Sequence, residues 1–524
     1  MKKILDAMKT MLILILTTTV LVLGCKRSND LGQSRLFRPV LAGQLSADSN
    51  TIVAEWQRIG GAKSYMVQLS RDTFRTVDLS MQMDTNVLVA KQLLYNQLYQ
   101  VQVRANAPDS AFNSKWSYLG AVRTLSSILK NPAVDDITFN SVRVKWTTKG
   151  APVTSVKILK TLDSSVAVQS ALSPADRTNE LIVMGGLQPA VKYTIMLYSG
   201  LDLRGYVDFN TKAPFSGTVI DLTGITGRPS VLADTIPIVP SGSTILLKKG
   251  LTYNIASAIN LNKTLIIISA PDLSVTQQAK IYFTSNFNFA AGATIDSIEF
   301  NDVHMYSDNW ASRYVFNTTN SATVGKLKFM NSRVEMFRGI VRLQSGTTTV
   351  NNFICFNSTL DSLMNYGVLT AGVATCKVDN FLLQNSTIYK AEKVIASSSV
   401  ANSDTIESCT FNDAALGNGS YYIDYNANLV ANGITVTNCI FGTGRNSAGA
   451  FAVRDFRAGA GTPVSAVNNL RTADHVSSGG DLPGISTYNR PSTQLWLDPA
   501  NGNFQILDNT FPGRSTAGDP RWRL

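Results

Sequence analysis

The segment Leu327-Lys328-Phe329-Met330-Asn331-Ser332-Arg333-Val334 decides the fold. It reads apolar, any, apolar, any, then a small polar residue, two further residues and an apolar one. The phrase occurs seven times after residue 295, with Asp302, Asn331, Asn357, Asn385, Ser408, Asn438 and Asp508 in the polar slot; the Ser408 copy has Asp404 where its first apolar residue belongs. The first six slots are 29, 26, 28, 23 and 30 residues apart, too uneven for a helical repeat but suited to stacked coils with loops of varying length. Within a copy the apolar alternation has the period of a half-buried strand.

One strand per coil, stacked in register, predicts a right-handed parallel β-helix, in which each coil buries its apolar positions only because a neighbour covers them. The small polar residue then falls at a corner, where Asn or Asp tolerates a left-handed backbone and bonds the coils above and below. That makes the row a structural ladder rather than a row of catalytic groups. Coils are expected from residue 216 onward, with Asp234 to Tyr253 and Leu265 to Ser269 opening the stack. Cys355 lies on the inward stripe, and Cys409 and Cys439 directly follow ladder positions; pairing of Cys355 with Cys376 or of Cys409 with Cys439 stays open.

The 524 residues are 44% apolar and 16% charged, enough for several folded domains of about 150 residues each. At the amino terminus, Lys2 and Lys3 precede an apolar run from Met11 to Leu23 that closes on Val22-Leu23-Gly24-Cys25. This ending resembles a bacterial lipobox, which implies a signal peptide over 1–24, a diacylglycerol anchor on Cys25, a tether over 25–34 and attachment to the outer membrane, with the membrane face open. Disulfides are permitted in such a compartment.

Two stretches of short alternating strands precede the repeats. In the first, Trp56 is followed by Leu94 and Tyr99; in the second, Trp146 is followed by Leu187 and Tyr193. Each set resembles a fibronectin type III domain, with a core tryptophan and a tyrosine corner whose hydroxyl bonds nearby backbone. The resemblance implies β-sandwiches over 35–126 and 130–213, so the fold class is all-β throughout. The β-helix over 216–524 resembles pectate-lyase-like proteins in fold. Its closing Gly518-Asp519-Pro520-Arg521-Trp522 resembles the end of β-helix lipoproteins from glycan-using Gram-negative bacteria, with Trp522 as a cap on the stack.

The net charge is +11, and it is unevenly spread. Residues 26–215 hold 22 Lys and Arg against 14 Asp and Glu, whereas residues 216–524 hold 22 against 21, so an anion site on the β-helix has to be local. No basic run or reader motif points to nucleic acid. The paired aspartates, His-Gly and Arg-Ile-Lys segments of polygalacturonase-like hydrolases are absent, and no His and Cys have metal-ligand spacing. The only histidines are His304 and His475, and His304, next to an inward position, reads as a packing or turn residue.

Eliminative cleavage of a uronic-acid polymer needs fewer groups: a cation or Ca²⁺ on the carboxylate, a base for the C5 proton and an acid for the leaving oxygen. The strand after each ladder corner supplies Arg338, Arg342 and Lys393 as catalytic candidates and Tyr366, Tyr422, Asp424 and Arg454 as substrate-binding candidates, with Tyr421 and Tyr425 beside them. Aligned on adjacent coils, these make a basic and aromatic track for an acidic polysaccharide. The expected function is polysaccharide engagement at the cell envelope, by binding or by elimination, alongside neighbouring glycan-processing proteins. The alternative is a structural adhesin with protein partners.

Overall fold

A computed structural model describes residues 4–13, 34–148, 152–215 and 217–524. The lipobox, including Cys25, and most of the tether lie outside the described residues. No described helix is long and apolar enough to cross a membrane. The chain divides into two units, Met1–Lys212 and Ala213–Leu524.

The first unit holds antiparallel, sandwich-like sheets. Strands Ser46–Asp48, Thr51–Glu55 and Val87–Ala90 form one sheet, and Leu79–Met83, Ser64–Ser70, Leu98–Asn106 and Ser117–Arg123 form its partner. The following segment repeats the plan with Val142–Lys145 and Leu181–Met184 against a sheet of four. Alternation buries Trp56 and Trp146 in separate cores. The Leu94 amide donates to the Tyr99 hydroxyl at 3.1 Å, and the Gln188 amide to the Tyr193 hydroxyl at 2.9 Å. The two tyrosines therefore pin equivalent turns. The buried leucine beside Tyr99 is Leu93 rather than Leu94, matching Leu187 beside Tyr193: in each turn the leucine one residue before the bonded amide enters the core.

The second unit is a right-handed parallel β-solenoid with three faces per coil. Its first face is a ten-stranded sheet from Val219–Asp221 to Val464–Val467. After the ladder corner the chain builds a second face, with Ala279–Phe283, Val303–Ser307 and Thr387–Ala391 among its strands. A further turn leads to the third face, which includes Tyr314–Thr318, Ile395–Ser397, Tyr421–Asp424 and Arg454–Arg457. The long strands Arg333–Leu343 and Thr359–Ala371 run across both of these faces.

The ladder residues Asp302, Asn331, Asn357, Asn385, Ser408 and Asn438 all have φ between 50° and 57°. Each corner amide donates to a carbonyl of the next coil, as Asn357 N–H does to Gln384 at 3.0 Å. Side chains add rungs: Asn357 Nδ2 donates to Asn331 Oδ1 at 2.8 Å, and Asn468 Nδ2 to Asn438 Oδ1 at 2.7 Å. The rung after Asn438 is thus Asn468, with φ 55°, and not Asp508. Asp508 matches the phrase but lies in a carboxy-terminal lobe, where it receives Arg490 Nη1 at 3.1 Å and the Tyr488 hydroxyl. One residue past the ladder an inner row forms, in which Ser332 N–H donates to Ser358 Oγ at 3.1 Å and Ser358 N–H to Ser386 Oγ at 3.1 Å.

Apolar residues fill the bore. Phe300 stacks on Phe329 at 5.6 Å and Phe353 on Phe381 at 5.1 Å. The position after Phe381 in the same file is Asp404, fully buried with no hydrogen bond to either carboxylate oxygen. All four described cysteines are buried free thiols. The carboxy-terminal lobe has its own core of Tyr488, Leu495, Trp496, Phe504, Ile506 and Phe511, which packs on Tyr389 and Ile440. Trp522 does not cap the end of the stack. It lies against the outer side of the second face, its Nε1 donating to Thr387 Oγ1 at 2.7 Å while its ring meets Phe504 at 6.1 Å.

Candidate functional site

Arg338, Arg342 and Tyr366 come together where the second face turns into the third. Both guanidinium groups lie over the Tyr366 ring, Arg338 at 5.0 Å and Arg342 at 4.1 Å from its centroid. Tyr314, one coil earlier than Arg342, meets Tyr366 edge-on at 5.5 Å and accepts from Arg342 Nη1 at 3.3 Å. Arg338 Nε donates to Asn365 Oδ1 at 3.0 Å. With guanidinium groups over its ring, Tyr366 holds the two arginines in place rather than presenting a bare platform to a sugar.

Local sequence makes this crossing possible. Gly339 and Gly367 occupy matched positions on adjacent coils. A Cβ at Gly339 would meet the Tyr366 Cβ at 2.5 Å, and one at Gly367, where φ is +57°, would strike the Lys393 carbonyl. The glycines form a notch over which Tyr366 and Lys393 fold.

Further groups gather at the same corner. Arg445 lies 3.5 Å from Asp413 and 6.0 Å from the Trp310 ring, so the turn 308–313 and the loop after Phe441 approach each other. Glu392 feels Arg445, Lys393 and Arg338, yet burial dominates and raises its carboxyl above the usual range. Burial does the same to Asp413 in spite of Arg445 and Lys390. Arg338, Arg342, Lys390, Lys393 and Arg445 gather here with Glu392, Asp413 and the Arg313–Asp308 pair, whose Arg313 carbonyl accepts from the Arg338 amide at 2.8 Å, which leaves a locally cationic corner on a nearly neutral solenoid.

The remaining candidates separate from it. Asp424 stands in the same outward file as Arg342, with Thr370 and Ala396 between, or about 14 Å away at three coil spacings. Both Asp424 oxygens receive Arg457, at 2.8 Å each. Arg454 Nη1 donates to the Tyr421 hydroxyl at 3.0 Å. These residues form a second cation and aromatic cluster rather than a continuation of the first. Tyr422 and Tyr425 do not face solvent as a substrate-binding surface would require. Both are buried in the bore, because the inward positions of their coil fall on them, and the Tyr422 hydroxyl bonds the Ala414 carbonyl. Neither can reach a glycan.

The sequence also undervalued His304. It faces outward on the second face, with Nε2 2.7 Å from Glu335 Oε1, in a chain of groups that continues through Arg333 to Asp361. The strand alternation carried that signal: Val303 and Met305 are inward, so His304 has to be outward. Among the described residues no three His, Cys, Asp or Glu side chains converge as metal ligands. Of the described acids beside these residues, Asp424 and Asp413 are each paired with an arginine, and burial raises the Glu392 carboxyl above its usual range.

Two segments match family models. Residues 251–391 match Domain of unknown function (DUF4957), and residues 405–522 match Domain of unknown function (DUF5123). The cationic corner draws residues from both. No curated protein matches the chain. Among solved structures, a two fibronectin type III domain segment from chicken tenascin is 17% identical, with 34% of this chain and 99% of that chain covered and a TM-score of 0.17. The fn3 domain of human collagen alpha-1(XX) chain is 20% identical over 20% of this chain and 98% of that one, with a TM-score of 0.16.

Proposed function

We propose that this chain is an envelope lipoprotein, anchored through Cys25, whose pectate-lyase-like solenoid holds an acidic polysaccharide at the Arg338–Arg342–Tyr366 corner. The observation that carries the reading is the pair of guanidinium groups set over one tyrosine ring on a notch of two glycines. Guanidinium forks match carboxylates bidentately, and fixing them beforehand lowers the ordering cost of binding. Lys393 and Arg445 extend the cationic patch along the coil axis, where successive sugars of a chain would meet successive coils. The two amino-terminal sandwiches, read as fibronectin type III domains, serve as spacers, and their basic excess suits an anionic membrane surface.

Affinity electrophoresis in gels containing polymers of uronic acids tests the reading. The wild-type protein is retarded, and Arg338→Ala with Arg342→Ala removes at least nine-tenths of the retardation without changing the thermal midpoint by more than a few degrees. Equal retardation of the double variant would refute the site. Neutral polymers serve as the control and leave migration unchanged.

A further inference from the structure

The first sandwich has two unlike poles. At one, the turn at Asn50 and the segment 91–97 are joined by the Leu93 amide, which donates to the Asn50 carbonyl at 3.0 Å. The second sandwich covers that pole: the Tyr95 hydroxyl bonds the Leu203 carbonyl, and the Tyr95 and Tyr206 rings lie 6.4 Å apart. At the other pole the chain enters from the tether, beside the loops 56–63, 84–86 and 107–116. The Leu36 amide donates to the Phe112 carbonyl at 2.9 Å, the Gln57 amide to the Val40 carbonyl at 2.8 Å and Arg58 Nε to Asn86 Oδ1 at 3.2 Å. These bonds tie the entering segment and the three loops into one surface.

The entering segment presents an apolar side chain on a pinned backbone. Leu36 packs against the core and Pro39 is buried, so the residues between and beside them turn outward. Phe37 is 84% exposed and Val40 58%. A lone exposed apolar side chain is ordinary; this one stands among cations. Arg35, Arg38, Arg58, Lys63 and Lys115 are exposed on the same segment and loops, against Asp84 and Asp109 there and Glu55 at the adjoining strand end. None of the five makes an ion pair with a described residue.

We infer that this pole docks on a membrane surface, with Phe37 in the headgroup layer and the surrounding arginines and lysines against the phosphates of anionic phospholipids. The inference rests on the proposed anchor at Cys25 and adds a contact made by the folded protein itself. Ten residue steps lead from Cys25 to Arg35, a reach of at most about 35 Å, so the pole that carries Phe37 is the part of the sandwich nearest the lipid. Aromatic rings favour the boundary between headgroups and acyl chains, and cations beside them gain from an anionic leaflet. One ring and a few cations make a weak contact, whereas an acyl anchor and a basic patch together make a stable one. The acyl chain therefore supplies the attachment and the pole supplies the orientation, holding the covered end of the first sandwich away from the bilayer.

The test mixes full-length protein with vesicles of phosphatidylcholine, alone or with phosphatidylglycerol, whose acyl chains carry bromine as a quencher of tryptophan emission. Phe37→Trp reports the pole; Leu162→Trp, at an exposed turn of the second sandwich, is the control. On the anionic vesicles, Phe37→Trp is expected to be quenched beyond the wild-type background and Leu162→Trp is not. Adding Arg35→Ala and Arg38→Ala to Phe37→Trp, or omitting phosphatidylglycerol, should lower that quenching at least threefold. Protein that sediments with the vesicles without added quenching at position 37 would overturn the docking surface and leave the anchor standing. Quenching at position 37 in a chain that takes up no fatty-acid label would do the reverse. Equal quenching on neutral and anionic vesicles would overturn the pairing with anionic lipid.

Discussion

Asp404 is the residue at which the repeat breaks its own rule. It follows Phe381 inside the bore, and burial raises its carboxyl to about 7; the nearby Tyr425 hydroxyl lowers it only in part. A carboxyl whose folded pKa lies above its ordinary 3.8 is neutral in the fold and charged in the unfolded chain. Stability is therefore greatest at low pH, falls as the pH rises from about 4 to about 7, and stays reduced above that range. A shift of that size corresponds to on the order of 4 kcal/mol. Asp404→Leu, which restores the apolar file, is expected to stabilise the solenoid at pH 8 and to lose most of that advantage at pH 4, as measured by denaturant unfolding at both values. The same scale shows what sequence reading could and could not deliver. Asp404 was visible as an irregular letter in the repeat. The inward set at Tyr422 and Tyr425 is not legible because the strand that holds Tyr422 and ends just before Tyr425 has only four residues, too few to fix the phase when turns on both sides shift it.

At the scale of elements, the corner and the notch carry the argument. Asn357 combines a left-handed backbone with a rung to Asn331, so Asn357→Ala is expected to cost about 1–2 kcal/mol for the backbone alone, with more for the lost side-chain bond. Asn357→Gly should cost less, because glycine accepts the same φ, and the difference between the two in denaturant midpoints separates backbone from side chain. Gly339→Ala belongs here too. The added methyl meets the Tyr366 Cβ and backbone, so retention of acidic polymer should fall several-fold and the denaturant midpoint should fall with it. The parallel strands and the ladder were legible because each rests on a short local period. The Trp310 and Arg445 approach was not, since two irregular loops 135 residues apart in sequence meet there without any repeat to announce it. The seventh ladder rung was misplaced for a related reason: Asp508 satisfies the phrase, but its flanking strands Trp496–Asp498 and Asn503–Ile506 pair antiparallel and leave the stack.

Across the whole molecule, charge is divided between units: basic over residues 26–215 and close to balanced over residues 216–524. Binding through a few fixed cations on a neutral body should weaken with salt, and less steeply than binding spread over a basic surface. Retardation of the wild type measured from low to physiological salt is expected to fall by no more than about tenfold. A steeper loss would place the contact on the sandwiches instead. The proposed anchor on Cys25 makes a separate prediction: Cys25→Ala should abolish fatty-acid labelling and release the protein from the membrane fraction, with the fold and polymer retention unchanged.

The buried thiols have a consequence for how the molecule can be watched. Cys409 and Cys439 follow consecutive ladder corners, and Cys355 lies two coils before Cys409 in the same core. Burial keeps all of them from a thiol reagent until their own coil opens. Mass-resolved alkylation in native buffer would therefore time the opening of successive coils. Cys439 should be tagged when its coil opens, Cys409 when the coil before it opens, and Cys355 only when opening reaches its own coil.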